Sequence, residues 1–100
     1  METAIIDDIA RSLGLDRNAL LERGVESLLH ERRRKLLLNK LQILSRYGAN
    51  SAGEVEERIK RGNLQEHPAW EELITLENLD AELERLDEYI RSLQAAARSS

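Results

Sequence analysis

The sequence predicts an all-α protein: a long helical hairpin with short N-terminal and middle helices, assembled as a dimeric bundle. Charged residues make up 34% of the 100 residues, aromatic residues make up only 3%, and there is a single proline. This composition, without any β-branched run bounded by turns, is typical of long helices and coiled coils. The length fits one helical domain, expected over residues 1–97, with a frayed tail over 98–100.

The first helix is expected over residues 2–13, because isoleucine and leucine recur there every four residues. Gly14 can end that helix, since glycine readily adopts the left-handed conformation of a helix C-terminus. Asp16 is suited to cap the second helix, because its carboxylate can accept from free N–H groups of the next turn. The second helix is expected over 17–47, a range that contains no proline.

The apolar residues of the second helix between 36 and 44 point in most directions around its axis. A helix segment that is apolar on all sides needs several neighbours, which in a small protein favours a homodimer or a higher homo-oligomer. The predicted dimer core consists of Leu29, Leu36, Ile43 and Leu44.

Two short signals define the remaining helices. Ser51 and Glu54 have the spacing of a capping box, which predicts a short third helix over 52–61. Pro68 suits the first turn of a fourth helix over 68–97, because that position needs no N–H donor. This helix carries a heptad seam, with apolar residues at alternate steps of three and four. The seam consists of Leu76, Leu79, Leu83, Leu86, Ile90 and Leu93.

Charge is divided unevenly along the chain. Residues 1–50 hold nine Lys or Arg and seven acids, whereas residues 51–100 hold six and twelve. Acids flank the heptad seam, so two copies of it would repel each other, and a basic counterpart is favoured. That counterpart is either the basic stretch 32–40 of this chain or the surface of another protein. Trp70 can dock the helix start into the core or serve as an exposed anchor. The predicted partner-binding residues are Trp70, Leu76, Leu79, Asp80, Leu83, Leu86, Asp87 and Ile90.

A nucleic-acid interpretation has two elements. The spacing of small, glycine and apolar residues over 5–29 is compatible with a helix-turn-helix whose second helix presents Arg17 and Asn18. A run of four cations could contact phosphates. Nearby acids and a pI of about 5.2 argue against a dedicated nucleic-acid surface. The cationic run is Arg32, Arg33, Arg34 and Lys35.

The sequence offers no catalytic or metal-binding pattern, so neither an enzyme nor a cofactor is expected. His30 and His67 lie far apart and lack the spacing of metal ligands. Cysteine is absent, which fits a cytoplasmic protein. The N-terminus lacks the features of a signal peptide, and the longest apolar run is too short for a membrane span.

Three segments resemble small all-helical prokaryotic antitoxin-like proteins encoded beside a toxin: residues 9–24, residues 46–51 with the short helix that follows, and residues 67–73 with the leucine-rich tail. The resemblance implies a cytoplasmic protein that binds and neutralises a cognate toxin, often a basic nuclease-like enzyme, and that can bind promoter DNA as a dimer. The stretch 4–6 is too short for the ribbon strand of many antitoxins. A helix-turn-helix DNA-binding regulator and a purely structural oligomerisation module remain the alternatives.

Overall fold

The computed structural model describes residues 3–99, and that range contains four α-helices and no strand. The helices are α1 (Thr3–Ser12), α2 (Arg17–Tyr47), α3 (Ala52–Lys60) and α4 (Glu66–Ser99). The all-α class predicted from composition is therefore confirmed. Two details of the prediction, a helix start at Glu2 and fraying at Ser100, lie outside the described residues. Residues 98 and 99, expected to fray, belong to α4.

A side chain caps the start of α2, and a glycine follows its end. The Asp16 carboxylate accepts a hydrogen bond from the backbone N–H of Ala19 at 2.7 Å, which satisfies one of the free donors at the start of α2. Gly48 has φ 59° and ψ 30°. This left-handed conformation is costly for other residues, so glycine here lets the chain leave α2 and turn back.

The cap of α3 differs from the predicted capping box in one bond. The Ser51 hydroxyl accepts from the backbone N–H of Glu54 at 3.1 Å, as the motif requires. The Glu54 carboxylate, however, accepts from the N–H of Asn50 at 2.8 Å, one residue before the expected donor. Glu54 also forms an ion pair with Arg58. The carboxylate therefore stabilises the turn that enters α3 as well as the first turn of the helix.

The two long helices pack side by side in an antiparallel hairpin, and α3 covers one end of it. The order of contacts shows the direction, since Arg33 of α2 meets Asp87 of α4 while Arg46 meets Glu72. The larger core cluster lies at the end covered by α3. It consists of Ile43, Leu44, Ala49, Val55, Ile59, Ala69, Leu73 and Leu76. A smaller cluster of Leu36, Leu83 and Leu86 continues it along the hairpin.

The other end of the hairpin has little core. Between residues 17 and 35, all of which the structure describes, no side chain of α2 is buried. The molecule is correspondingly elongated, at 61 × 26 × 19 Å with a radius of gyration of 19.6 Å, against about 13 Å for a globular domain of this length. At the same end, α1 buries Ala10 but leaves Ile5, Ile9 and Leu13 exposed.

Tyr47 joins the end of α2 to α4. Its hydroxyl donates to Oε1 of Glu72 at 2.6 Å. Burial and, to a smaller extent, the hydrogen bond to the Glu72 carboxylate together raise the pKa of the Tyr47 phenol to about 12. Arg58 of α3 donates to the backbone carbonyls of Tyr47 and Gly48, so the carbonyls at the end of α2 are paired with a cation.

Replacing Leu76 with alanine is expected to destabilise the chain by about 3 kcal/mol, because its side chain is fully buried and the truncation leaves a cavity. Ile74→Ala, two residues away but 55% exposed, is the matched control and should change stability by less than about 0.5 kcal/mol. Urea unfolding followed by circular dichroism measures both. Equal losses for the two variants would contradict the position of the core.

The Tyr47 phenol is expected to make stability sensitive to alkaline pH. Its pKa is raised in the folded chain, from 10.0 to about 12, so its contribution is fully present below pH 10 and is lost as the pH rises through about 12. The difference in unfolding free energy between the wild type and Tyr47→Phe should therefore shrink over that range. Taking the difference between the two proteins removes the effect of lysines that titrate in the same range. A difference that is constant with pH would contradict the Tyr47–Glu72 contact.

Candidate protein-binding face of the fourth helix

The acids that flank the heptad seam are paired with cations of α2. Each pair joins the two long helices, at nitrogen–oxygen distances between 2.6 and 3.0 Å. The pairs are Glu72 with Arg46, Asp80 with Lys40, Glu82 with Arg32, and Asp87 with Arg33. The basic counterpart that the seam required is thus the second helix of the same chain.

Most of the predicted partner-binding residues are consequently covered within the chain. The apolar residues Leu76, Leu83, Leu86 and Ile90 are buried, and Leu79 is partly buried against both core clusters. Asp80 and Asp87 form the ion pairs just described and are only partly exposed. Trp70 is the exception, with 36% of its surface exposed. From Leu76 to Ile90 the seam is therefore covered within the chain, whereas Leu93 at its end is only partly buried.

The predicted dimer-core residues are likewise used inside the chain. Leu36, Ile43 and Leu44 are buried against α4 or the α3 end of the hairpin. Leu29 is partly buried and packs against the smaller cluster. On the opposite side of α2, Leu38 and Leu41 are about half exposed, so the segment 36–44 is not enclosed on all sides.

A second group of α4 residues faces away from α2 and forms one stripe, called here the outer face. Its members are separated by alternating steps of four and three, which places them on one side of a helix. All are exposed. The outer face consists of Trp70, Ile74, Glu77, Ala81, Glu84 and Glu88.

The carboxylates of the outer face differ in their pairing from those on the inner side of α4. Within residues 3–99, Glu77, Glu84 and Glu88 form no ion pair, unlike the acids on the inner side of the same helix. Trp70 and Ile74, one turn apart at the start of the stripe, add a large aromatic and a branched apolar side chain. Arg85 lies beside the stripe. Such a surface suits a partner that carries cations and an apolar pocket.

The cations considered for nucleic acid are mostly neutralised by neighbouring acids. Arg17 forms two hydrogen bonds to the Asp7 carboxylate, at 3.1 and 3.2 Å. Arg32 and Arg33 pair with α4, and Lys35 pairs with Glu31 at 3.5 Å. Asn18 and Arg34 are exposed. The structure therefore pairs Arg32, Arg33 and Lys35 with acids of α4 or of their own helix, and does not gather them with Arg17 into one basic patch.

Among residues 3–99, no group of three or more histidines, cysteines or carboxylates is arranged to hold a metal ion. No helix in that range is long and apolar enough to cross a membrane.

His67 contacts the Glu71 carboxylate through Nδ1 at 2.6 Å, one turn along α4. Because its φ and ψ are −114° and 129°, the regular part of α4 begins at Pro68.

Sequence reasoning missed most of the outer face, although a signal for it exists. The heptad period identifies the residues on the seam. A stripe on the opposite side of the helix repeats with the same period. Glu77, Glu84 and Glu88 follow that period. Their lack of partners could not be read from the sequence, because it depends on which acids α2 reaches.

The family model described as Uncharacterized protein MJ0235 family matches residues 1–98. No curated protein and no solved structure matches the chain.

Removing the inner and outer acids is expected to have different effects on stability. The triple variant Asp80→Asn, Glu82→Gln, Asp87→Asn removes three helix-to-helix ion pairs and should lose about 1–2 kcal/mol, since partly exposed pairs each contribute little. The matched triple variant Glu77→Gln, Glu84→Gln, Glu88→Gln should stay within about 0.5 kcal/mol of the wild type. Urea unfolding at low and high salt measures both. A larger loss for the outer variant would contradict the assignment of the two faces.

Proposed function

The chain belongs to the Uncharacterized protein MJ0235 family, and we propose that it is an antitoxin-like interaction module of the cytoplasm. In this proposal it binds a cognate, basic toxin protein and neutralises it by covering the toxin's active surface. The observation that carries the proposal is the outer face of α4, where three exposed carboxylates without partners follow Trp70 and Ile74. The proposed site is thus on the same helix as the predicted one, but on its opposite side.

Electrostatics supports a cationic partner. The inner acids of α4 are already compensated by α2, so binding a cation there would require breaking an existing pair. The outer carboxylates lose no protein partner when a lysine or arginine of another protein approaches. Complementary charges of this kind speed association and select among partners more than they raise affinity.

Apolar contact would supply most of the affinity. Tryptophan is enriched among the residues that dominate binding energy, and Trp70 is only partly covered by its own chain. Ile74 lies one turn further along the same face and is more exposed than Trp70. Together they form an apolar anchor at one end of an acidic stripe, the arrangement expected for a helix that lies on a basic groove.

A homodimer is part of the proposal, as it was of the sequence-based prediction. The alternative of a DNA-binding regulator has less support, because Arg17 and most of the basic run are paired with acids. The alternative of a purely structural module predicts that the chain associates only with copies of itself and binds no other protein.

Binding can be tested with the product of the adjacent reading frame, mixed with the purified protein at micromolar concentration and analysed by size exclusion. We expect a complex with the wild type. The variant Glu77→Gln, Glu84→Gln, Glu88→Gln should lower the association rate at least about tenfold at low salt, with a smaller effect at high salt. Trp70→Ala should accelerate dissociation, because an anchor is lost.

The matched control removes three exposed acids elsewhere. Asp8→Asn, Glu31→Gln, Glu57→Gln changes the net charge by the same amount, but all three positions lie away from the outer face. It should bind like the wild type. An equal loss of binding in both triple variants would show that net charge alone causes the effect, and it would contradict the proposed face. The absence of any complex with the wild type would contradict the proposed function.

A further inference from the structure

The open end of the hairpin contains an apolar groove that the chain does not fill. It lies between the first half of α2 and the last turns of α4, at the end not covered by α3. The groove has a volume of about 450 Å³. Its lining consists of Val25, Leu29, Tyr89, Ser92, Leu93 and Ala96. Val25 and Tyr89 are 39% and 55% exposed.

The apolar surface continues beyond the groove on the same side of α2. Leu21 and Leu28 lie one helical turn on either side of Val25, and both are about two-thirds exposed. None of the residues that line this surface is charged, in a chain where 34% of residues are charged. We call this uncharged surface, the groove together with Leu21 and Leu28, the open-end patch.

The accessible surface area of the chain is larger than that of a compact monomer of the same mass. The chain exposes 7286 Å², whereas a compact monomer of its mass would expose about 5,800 Å². The excess exceeds the roughly 800 Å² that each partner buries in a standard specific interface. A contiguous apolar area on an otherwise highly charged protein is a typical interaction site.

We propose that the open-end patch is the homodimer interface, occupied by the same patch of a second copy of this chain. Pairing two hairpins through this side would complete a four-helix arrangement around Leu21, Val25 and Leu28 of each copy. A two-fold axis brings the same patch to itself, so an uncharged apolar surface is self-complementary. The open-end patch has no charge that would complement a cationic toxin. The proposed toxin site therefore remains the outer face.

The charged residues at the border of the patch fit the same arrangement. Arg32 and Glu82 form an ion pair where the patch ends, and Arg85 lies one turn from Tyr89. The border therefore holds both signs of charge and does not oppose a second copy by net repulsion. Leu29, expected in the dimer core from sequence, lines the groove, whereas its predicted companions Leu36, Ile43 and Leu44 are buried within the chain.

The inference rests on the dimer that forms part of the proposed function, but its test needs no toxin. Light scattering coupled to size exclusion should give the wild type a mass twice the 11.5 kDa of the chain at micromolar concentration. Leu28→Glu and, separately, Tyr89→Glu place a charge in the patch of both copies. Each should raise the dimer dissociation constant at least about 100-fold, measured by sedimentation equilibrium, without loss of helix content by circular dichroism.

Leu41→Glu is the matched control. It introduces the same charge on the same helix, at a leucine of comparable exposure (51% against 66% for Leu28) on the side away from the patch. It should remain a dimer, as should the conservative variant Leu28→Met. A monomeric wild type, or a dimer broken by Leu41→Glu but not by Leu28→Glu, would overturn the interface.

The two proposals fail separately. A wild type that is monomeric yet binds the toxin would overturn the dimer interface and leave the outer face supported. A dimer that Leu28→Glu dissociates, and that forms no complex with the toxin, would support the interface and contradict only the proposed function. A monomer whose open-end patch is protected by the toxin, in hydrogen exchange of the complex, would overturn the assignment of the patch to a second copy.

Discussion

The antiparallel packing of α2 against α4 is the contact on which the rest of the molecule depends. It buries Leu36 of α2 with Leu83 and Leu86 of α4, and it provides the surface on which α3 places Val55 and Ile59. Burial of apolar area supplies the stabilisation, at about 25 cal/mol per Å². The helix-to-helix ion pairs add little energy but favour this register, because a shift would separate each cation of α2 from its acid on α4.

This packing divides the acids of α4 into two groups. The heptad period directs leucines inward, and acids beside the seam, such as Asp80 and Asp87, come within reach of cations on α2. Acids on the opposite side, such as Glu77 and Glu84, find no cation in the described chain. A uniformly acidic helix in the sequence thus becomes a helix with one neutralised and one charged side. The neutralised side is covered by α2, and the charged side is exposed to solvent.

The same packing leaves one end of the hairpin incomplete. Two helices can shield only the strip of surface between them. The short helix α3 covers this strip only at the end near Tyr47. Beyond Leu36, towards the start of α2, Leu21, Val25 and Leu28 stay exposed, and the groove between Val25 and Tyr89 stays open. Association is therefore the physical route by which this end can bury its apolar residues, whereas the outer face of α4 needs none for stability.

The sequence by itself determined the bounds of α2 and the start of α3, because these follow from local spacing and capping. Asp16, Ser51 and Gly48 act within a few residues of their own position, and the period of α4 already identifies its apolar side. Only the tertiary structure decided what covers that side. The acids of α4 could pair with a basic partner or with the chain's own cations. Which of the two occurs depends on whether the segment between α2 and α4 lets these helices pack against each other. That geometry assigned the seam to α2 and left the outer face and the open-end patch exposed.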